Sequence, residues 1–241
     1  MFTAALFICT AGASAPGTAL AAAQFTASPL LLNLPADKRA AALTLGNQGG
    51  QPVTVQAELL SWNQDSGDDA YAPTRDLLVS PPIFSIPGAG SQVVRVGRLK
   101  AGVAPEREIA YRLKLAEVPT AAAKGGGIAT VMQLSFPLFV PPADRKAAPR
   151  LEGVVETQAK RGLLVTLTNS GLVHGKVTAL RIVQNGATLS ERPMNFYVLA
   201  GAKRPLPWPG ALKGAKAGAA EVQVQLEGKN KVIALPVTVS P

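Results

Sequence analysis

Short runs of alternating apolar and polar residues recur along most of the chain and constrain its fold most strongly. The clearest runs lie at 43–45, 53–55, 93–96, 111–115, 163–167 and 222–226. A period of two places successive side chains on opposite faces of a strand, and clusters of Gly, Pro, Asn and Asp separate the runs. Asn185-Gly186 between two runs predicts a two-residue hairpin turn, because both residues tolerate positive φ. No stretch has a helical period, so the chain is predicted to be all-β.

A faint internal repeat predicts two domains. The segment 43–49 resembles the segment 165–171, and the two are offset by 122 residues, about one sandwich domain. Between them lies a polar, charged and Pro-rich segment at 141–149, which is typical of a domain boundary. We therefore expect two immunoglobulin-like β-sandwich domains in tandem, at 24–140 and 150–241, with 141–149 as the linker.

The amino terminus predicts an export signal at 1–23. Residues 2–23 carry no charge, and both Ala19-x-Ala21 and Ala21-x-Ala23 fit a signal-peptidase site. The apolar run is too short and too interrupted by Gly and Pro to span a membrane. We expect export, cleavage near Ala23 and no membrane insertion.

The scarcity of cysteine and histidine limits the possible chemistry. Cys9 and His174 are the only residues of their types, which excludes a Cys/His zinc site, a disulfide framework and a Cys-x-x-Cys redox centre. A Ser–His–Asp triad would need His174, which lies far from any Gly-x-Ser-x-Gly motif. Asp65, Asp68 and Asp69 cluster without the Glu of a calcium loop, and we interpret them as a solvated loop. We expect no catalytic residues, no cofactor and no metal.

The net charge of +9 does not predict a nucleic-acid partner. The basic residues are dispersed, and aromatic residues, which stack on bases, make up only 5% of the chain.

The segment 128–140 is a long alternating strand. Ile128, Thr130, Met132 and Leu134 share one face, which continues through Phe136 and Leu138. Pro137 cannot donate to a ladder, so the strand lies at a sheet edge there. Pattern alone leaves two interpretations open: this edge pairs with a partner strand, or it is the last strand of a sandwich and is covered by its own domain.

Several blocks together resemble the periplasmic pilus-assembly chaperones of the chaperone–usher pathway. They occur in that family's order and spacing, cover nearly all of the first predicted domain, and lie at 28–29, 43–47, 71–88, 92–96, 108–113 and 117–119. The second half matches more loosely, at 167–169 and 197–201.

The resemblance implies two domains set at an angle, with pilin subunits bound at the cleft between them in the periplasm. It also implies that Ile128, Thr130, Met132 and Leu134 form a donor strand that completes the pilin fold, and that an outer-membrane usher receives the complex.

The chain departs from the classical members of that family at their anchoring positions. The two basic residues that hold the pilin carboxylate align with Leu31 and Pro137, and the inter-domain Arg aligns with Pro141, while Glu108 remains. Blocks 111–113 and 136–140 look more like the archaic branch. Arg112 is the candidate substitute, because a guanidinium suits bidentate carboxylate binding.

An alternative of another class is an exported immunoglobulin-like adhesin or carbohydrate-binding module. It predicts aromatic platforms at the surface, and Trp62 and Trp208 are the only tryptophans. A third reading, a hydrolase, lacks an assembled nucleophile motif.

Overall fold

Among the residues that the structure describes, those of the first half form ten strands. The computed structural model describes residues 24–99, 102–119, 131–158, 162–208, 216, 218–228 and 232–239. The strands of this half are β1 (Phe25–Ser28), β2 (Leu32–Asn33), β3 (Ala40–Asn47), β4 (Val53–Asn63), β5 (Ala70–Pro73), β6 (Leu77–Ser80), β7 (Ile83–Ile86), β8 (Ser91–Arg98), β9 (Ile109–Glu117) and β10 (Gln133–Val140).

These ten strands form two sheets that enclose one core. One sheet has the order β1-β3-β8-β6, and the other has the order β2-β10-β9-β4-β5, with β7 also paired to β4. Inward-facing residues of both sheets are apolar and buried, as the alternation predicts. They include Leu43, Val94, Leu113, Phe136 and Leu138.

The second half repeats this architecture with seven strands: β11 (Leu151–Gln158), β12 (Gly162–Asn169), β13 (Gly175–Gln184), β14 (Ala187–Val198), β15 (Lys203–Trp208), β16 (Gly218–Leu226) and β17 (Val232–Val239). Its sheets have the orders β11-β12-β15 and β14-β13-β16-β17. A separate buried cluster, which includes Val165, Leu180, Val222 and Trp208, lies within it.

The prediction of an all-β chain with two immunoglobulin-like sandwiches is confirmed. The described ranges contain strands and no helix, and therefore no helix that is long and apolar enough to cross a membrane. Residues 141–149 carry no strand. The exact domain limits stay a prediction, and the expected signal peptide at 1–23 lies outside the described residues.

The internal repeat has a structural basis in two buried asparagines. Asn47 ends β3, and Asn169 ends β12; the exposed fraction of each is 0%. The Asn47 amide donates to backbone carbonyls of the β7 end, and its oxygen accepts from Gly49 N–H at 2.9 Å. Asn169 does the same in the second sandwich, where its oxygen accepts from Gly171 N–H at 3.0 Å. Each side chain therefore satisfies backbone groups where a strand leaves its sheet.

The predicted hairpin turn is also confirmed. Asn185 and Gly186 connect β13 to β14 with φ values of 51° and 78°, and Gln184 pairs with Ala187. Two successive positive φ values are typical of a type I′ turn, which matches the twist of the flanking strands.

Candidate functional site

Five aromatic side chains are in contact where the two sandwiches meet. Trp62, Tyr71 and Phe139 come from the six-stranded sheet, and His174 and Tyr197 come from the second sandwich. The Phe139 ring stacks on the His174 ring with a centroid distance of 3.8 Å, and Trp62 meets Tyr197 edge-on at 5.4 Å. We call these five side chains the aromatic cluster. It joins the sandwiches through apolar contact.

A glutamine and a glycine reinforce the contact between the sandwiches. Gln64, which is 2% exposed, donates from Nε2 to the Tyr197 carbonyl at 2.9 Å and accepts from the Leu199 N–H at 2.9 Å. Gly67 has a φ of +93°, and a Cβ at this position would lie 2.8 Å from Cδ of Pro205. The close approach of the loop at 63–69 to the second sandwich therefore requires glycine.

His174 supplies the partner of Glu108 across the interface. One Glu108 oxygen accepts from the His174 backbone N–H at 2.9 Å and lies 2.7 Å from Nδ1 of the same residue. The Glu108 side chain is only 6% exposed, so this carboxylate needs such partners. The resemblance pointed to Glu108, but nothing in the sequence pointed to His174 as its partner.

The expectation of a solvated acidic loop is wrong for Asp69. Its Oδ1 accepts hydrogen bonds from Trp62 Nε1 at 2.9 Å, Gln64 Nε2 at 2.7 Å and Arg204 Nη1 at 3.0 Å. Burial acts to raise the pKa of Asp69, but the three hydrogen bonds and the positive charge of Arg204 outweigh it and lower that pKa below its ordinary 3.8. Asp69 is therefore an ionised part of the domain interface. A buried tryptophan that needs a hydrogen-bond acceptor was the available sequence signal.

Asp69 is expected to make the stability of the protein depend on pH in the acid range. Because its pKa is lower in the folded state, its contribution is present above about pH 4 and is lost as the pH falls through the folded value. Asp69→Asn should remove this part, so the unfolding midpoint of wild type in urea should fall more steeply between about pH 5 and pH 3 than that of the variant. Parallel curves for the two proteins would contradict the lowered pKa.

Arg112 lies at the mouth of the aromatic cluster. It is half-buried on β9, and its guanidinium carbon lies 3.9 Å from the Trp62 ring centroid and 5.8 Å from that of Tyr197. Its Nε is buried, and no hydrogen-bond partner for that atom lies within the described part of the chain. Stacking on an indole leaves the edge of a guanidinium free to bind an oxyanion.

One of the two positions that the resemblance aligns with the classical anchor lies beside Arg112. Pro137 is directly opposite Arg112 in the register of β10 and β9. Leu31 packs against the buried contact formed by Trp62, Phe139 and Leu199. Both side chains are apolar, and Arg112 is the basic residue directly opposite Pro137.

β10 has two different halves. Phe136 and Leu138 face the first core, with exposed fractions of 6% and 0%, and β2 covers the outer edge of the strand at Leu138 and Phe139. From Gln133 to Pro137 the same edge has no paired strand within the described ranges, while the inner edge pairs with β9 throughout. The prediction of a strand at a sheet edge is confirmed at Pro137.

The structure describes two of the four predicted donor residues, Met132 and Leu134. Ile128 and Thr130 lie outside the described residues. Met132 is half-buried just before β10, and its backbone pairs with Glu117 through two hydrogen bonds. Leu134 is half-buried and packs against the first core, so at this position the strand is partly covered by its own domain. The donor function of these residues stays a prediction.

The tryptophans do not form the platforms that a carbohydrate-binding module needs. The exposed fractions of Trp62 and Trp208 are 4% and 2%. Neither ring presents an open face on which a sugar could stack.

A known family matches the first half of the chain. The family described as "Pili and flagellar-assembly chaperone, PapD N-terminal domain" matches residues 24–146, just over half of the chain. No curated protein sequence matches.

Solved structures with the same fold include several pilus chaperones. A chain of the CsuC–CsuE chaperone–tip adhesion subunit pre-assembly complex, from the archaic chaperone–usher Csu pili of Acinetobacter baumannii, is 21% identical with a TM-score of 0.69, and the match covers 88% of this chain and 97% of that chain. The Pseudomonas aeruginosa CupB2 chaperone is 20% identical with a TM-score of 0.58, covering 89% and 100%. A chain of the Salmonella enterica SafA pilin–SafB chaperone complex is 17% identical with a TM-score of 0.62, covering 92% and 99%. Fold and family match agree: this chain belongs to the family of pilus-assembly chaperones.

Proposed function

We propose that this protein is a periplasmic chaperone that binds pilin subunits by donor-strand complementation and delivers them to an outer-membrane usher. The observation that carries the proposal is the division of β10: one part is fixed in the chaperone's own core, and the outer edge from Gln133 to Pro137, beside Arg112, has no paired strand among the described residues. Export through the segment at 1–23, with cleavage near Ala23, belongs to the same proposal.

The open edge supplies the affinity in this scheme. A pilin that lacks its final strand exposes a hydrophobic groove and unpaired backbone groups. The free edge from Gln133 to Pro137 offers backbone partners, and the alternate side chains of the segment at 128–134 would fill the groove. Ile128, Thr130, Met132 and Leu134 are the proposed donors.

Arg112 would bind the pilin's terminal carboxylate. Its position opposite Pro137 and on the face of Trp62 supports this function, as does the buried Nε. A charge-assisted, bidentate pair fixes both the position and the orientation of the chain end. The archaic branch is the group of chaperone–usher systems that we propose for this protein, because its anchor departs from the classical pattern.

Arg112→Ala is expected to lose the pilin while the chaperone stays folded. Losing a charge-assisted hydrogen-bond pair of about 1.5–3 kcal/mol corresponds to roughly 10- to 100-fold weaker binding. The measurement is recovery of a co-expressed pilin subunit on the tagged chaperone, together with the melting temperature. The matched control is Lys114→Ala, because Lys114 is two residues along β9 and forms a partly exposed ion pair with Glu58 at 3.8 Å. Pilin recovery equal to wild type in Arg112→Ala would remove Arg112 from the site.

A further inference from the structure

One carboxylate oxygen links the second sandwich to the ring on which Arg112 lies. Asp69 Oδ1 accepts from Trp62 Nε1 at 2.9 Å in the first sandwich and from Arg204 Nη1 at 3.0 Å in the second. The exposed fractions of the Arg204 and Asp69 side chains are 16% and 29%, so water screens this pair only in part. Gln64 donates to the same oxygen and also bonds to the second sandwich.

The edge of the Trp62 ring forms a hydrogen bond, and its face contacts Arg112. Its Nε1–H points to Asp69, and the Tyr197 ring packs at 85° to it. The Arg112 guanidinium stacks on the π face of the same indole, with its central carbon 3.9 Å from the ring centroid. The buried Nε of Arg112 has no hydrogen-bond partner in the described ranges, and the Trp62 ring, together with the Tyr71 hydroxyl, is in contact with the guanidinium.

We propose that Asp69 is a positioning residue for Arg112. By holding the indole edge, it sets the plane of the ring and therefore the direction in which the guanidinium stacked on that ring presents its N–H groups. Through Arg204, the same carboxylate makes this direction depend on the docking of the second sandwich. The inference rests on the proposed function, in which Arg112 meets the carboxylate at the end of a pilin.

The alternative is that Asp69 only joins the two sandwiches. Glu108 provides the matched control, because its carboxylate also bonds across the interface, to His174, without contacting Trp62. A variant at Glu108 therefore weakens the interface and leaves the indole edge bonded.

The first measurement needs no pilin. In the free full-length chaperone, the indole N–H signals of Trp62 and Trp208 can be separated by NMR, with Trp208→Phe used for assignment. Asp69→Ala should shift the Trp62 signal and accelerate its hydrogen exchange by about tenfold or more, because a bonded indole N–H becomes free. Asp69→Asn should preserve most of the protection, since its amide oxygen still accepts, and Glu108→Ala should leave the signal in place. An unchanged Trp62 signal in Asp69→Ala overturns the inference.

The second measurement reports on the anchor. Recovery of a co-expressed pilin with its native carboxyl terminus is compared with recovery of the same pilin extended by three glycines, which moves the carboxylate out of place. Wild type should prefer the native end by about tenfold. Arg112→Ala and Asp69→Ala should each lose this preference, and the double variant should lose no more than either. Asp69→Asn and Glu108→Ala should keep it.

The outcomes distinguish the positioning inference for Asp69 from the proposed anchor function of Arg112. If Arg112→Ala loses the preference and Asp69→Ala keeps it, the positioning inference fails and the proposed anchor stands. If Arg112→Ala keeps the preference, the proposed anchor fails, whatever the Trp62 signal shows. Losses that add in the double variant would also overturn the inference, because residues that act through one another are not independent.

Discussion

Met132→Asp is expected to abolish recovery of a co-expressed pilin while the chaperone itself stays folded. The Met132 side chain is half-buried and lies outside the first core cluster, while its backbone is held by Glu117. In a pilin groove this side chain contributes about 1.5–3 kcal/mol through burial, and a carboxylate there costs more than that contribution. The melting temperature and the pilin yield of the same preparation are the measurements.

Three residues of β10, which begins directly after Met132, serve as comparisons. Phe136→Asp should unfold the first sandwich, because this side chain is 6% exposed within the core. Gln133→Asp should change neither quantity, because Gln133 is exposed on the opposite face. Leu134→Ala should lower both, since Leu134 packs against the core and also belongs to the proposed donors. If Met132→Asp melts as early as Phe136→Asp, the strand's apolar face is internal; if it melts normally and binds pilin fully, Met132 is not a donor.

Asn169→Ala is expected to destabilise the second sandwich severely. The side chain is fully buried and bonds to four backbone groups: it donates to the carbonyls of Val173 at 2.8 Å and Val198 at 3.0 Å, and it accepts from the N–H groups of Arg150 at 3.1 Å and Gly171 at 3.0 Å. Each buried group left unsatisfied costs about 1–3 kcal/mol, and partial rehydration of the cavity reduces the total to about 3–5 kcal/mol. Denaturant unfolding measures the loss.

The comparison for this prediction is an asparagine in the same sandwich. Asn195 is exposed on β14, so Asn195→Ala should change the free energy of unfolding by no more than about 0.5 kcal/mol. Similar unfolding midpoints for the two variants would contradict the structural function that we assign to Asn169.

Local signals account for the parts of the fold that the sequence predicted. Alternation predicts strands because the order of apolar and polar residues along a short segment decides which face of the strand is apolar. Asn185-Gly186 predicts a hairpin because the turn depends on the φ values of these two residues. The repeat at Asn47 and Asn169 was visible because part of its bonding is local: each side-chain oxygen accepts from a backbone N–H two residues beyond its own strand end.

The domain interface left no comparable local trace. Asp69 and Arg204 are separated by 135 residues, and Glu108 and His174 by 66, so nothing near either acid names its partner. Composition favoured a solvated loop for Asp69, and only the burial of Trp62 reverses that interpretation. Arg112 was chosen through a resemblance and a missing charge, and its stacking on Trp62 became visible only when β4 and β9 were aligned.

The continuity of β10 has a consequence for any strand that joins its open edge. A strand has only two phases, and a shift of one residue turns every side chain to the other face. Phe136 and Leu138 are buried in the chaperone's own core. The alternation of side chains along the rest of β10 is therefore fixed before another strand pairs with it. The pairing register of an added strand can therefore change only in steps of two residues. Under the proposed function, the chaperone's own core therefore fixes the residue spacing that an incoming subunit has to match.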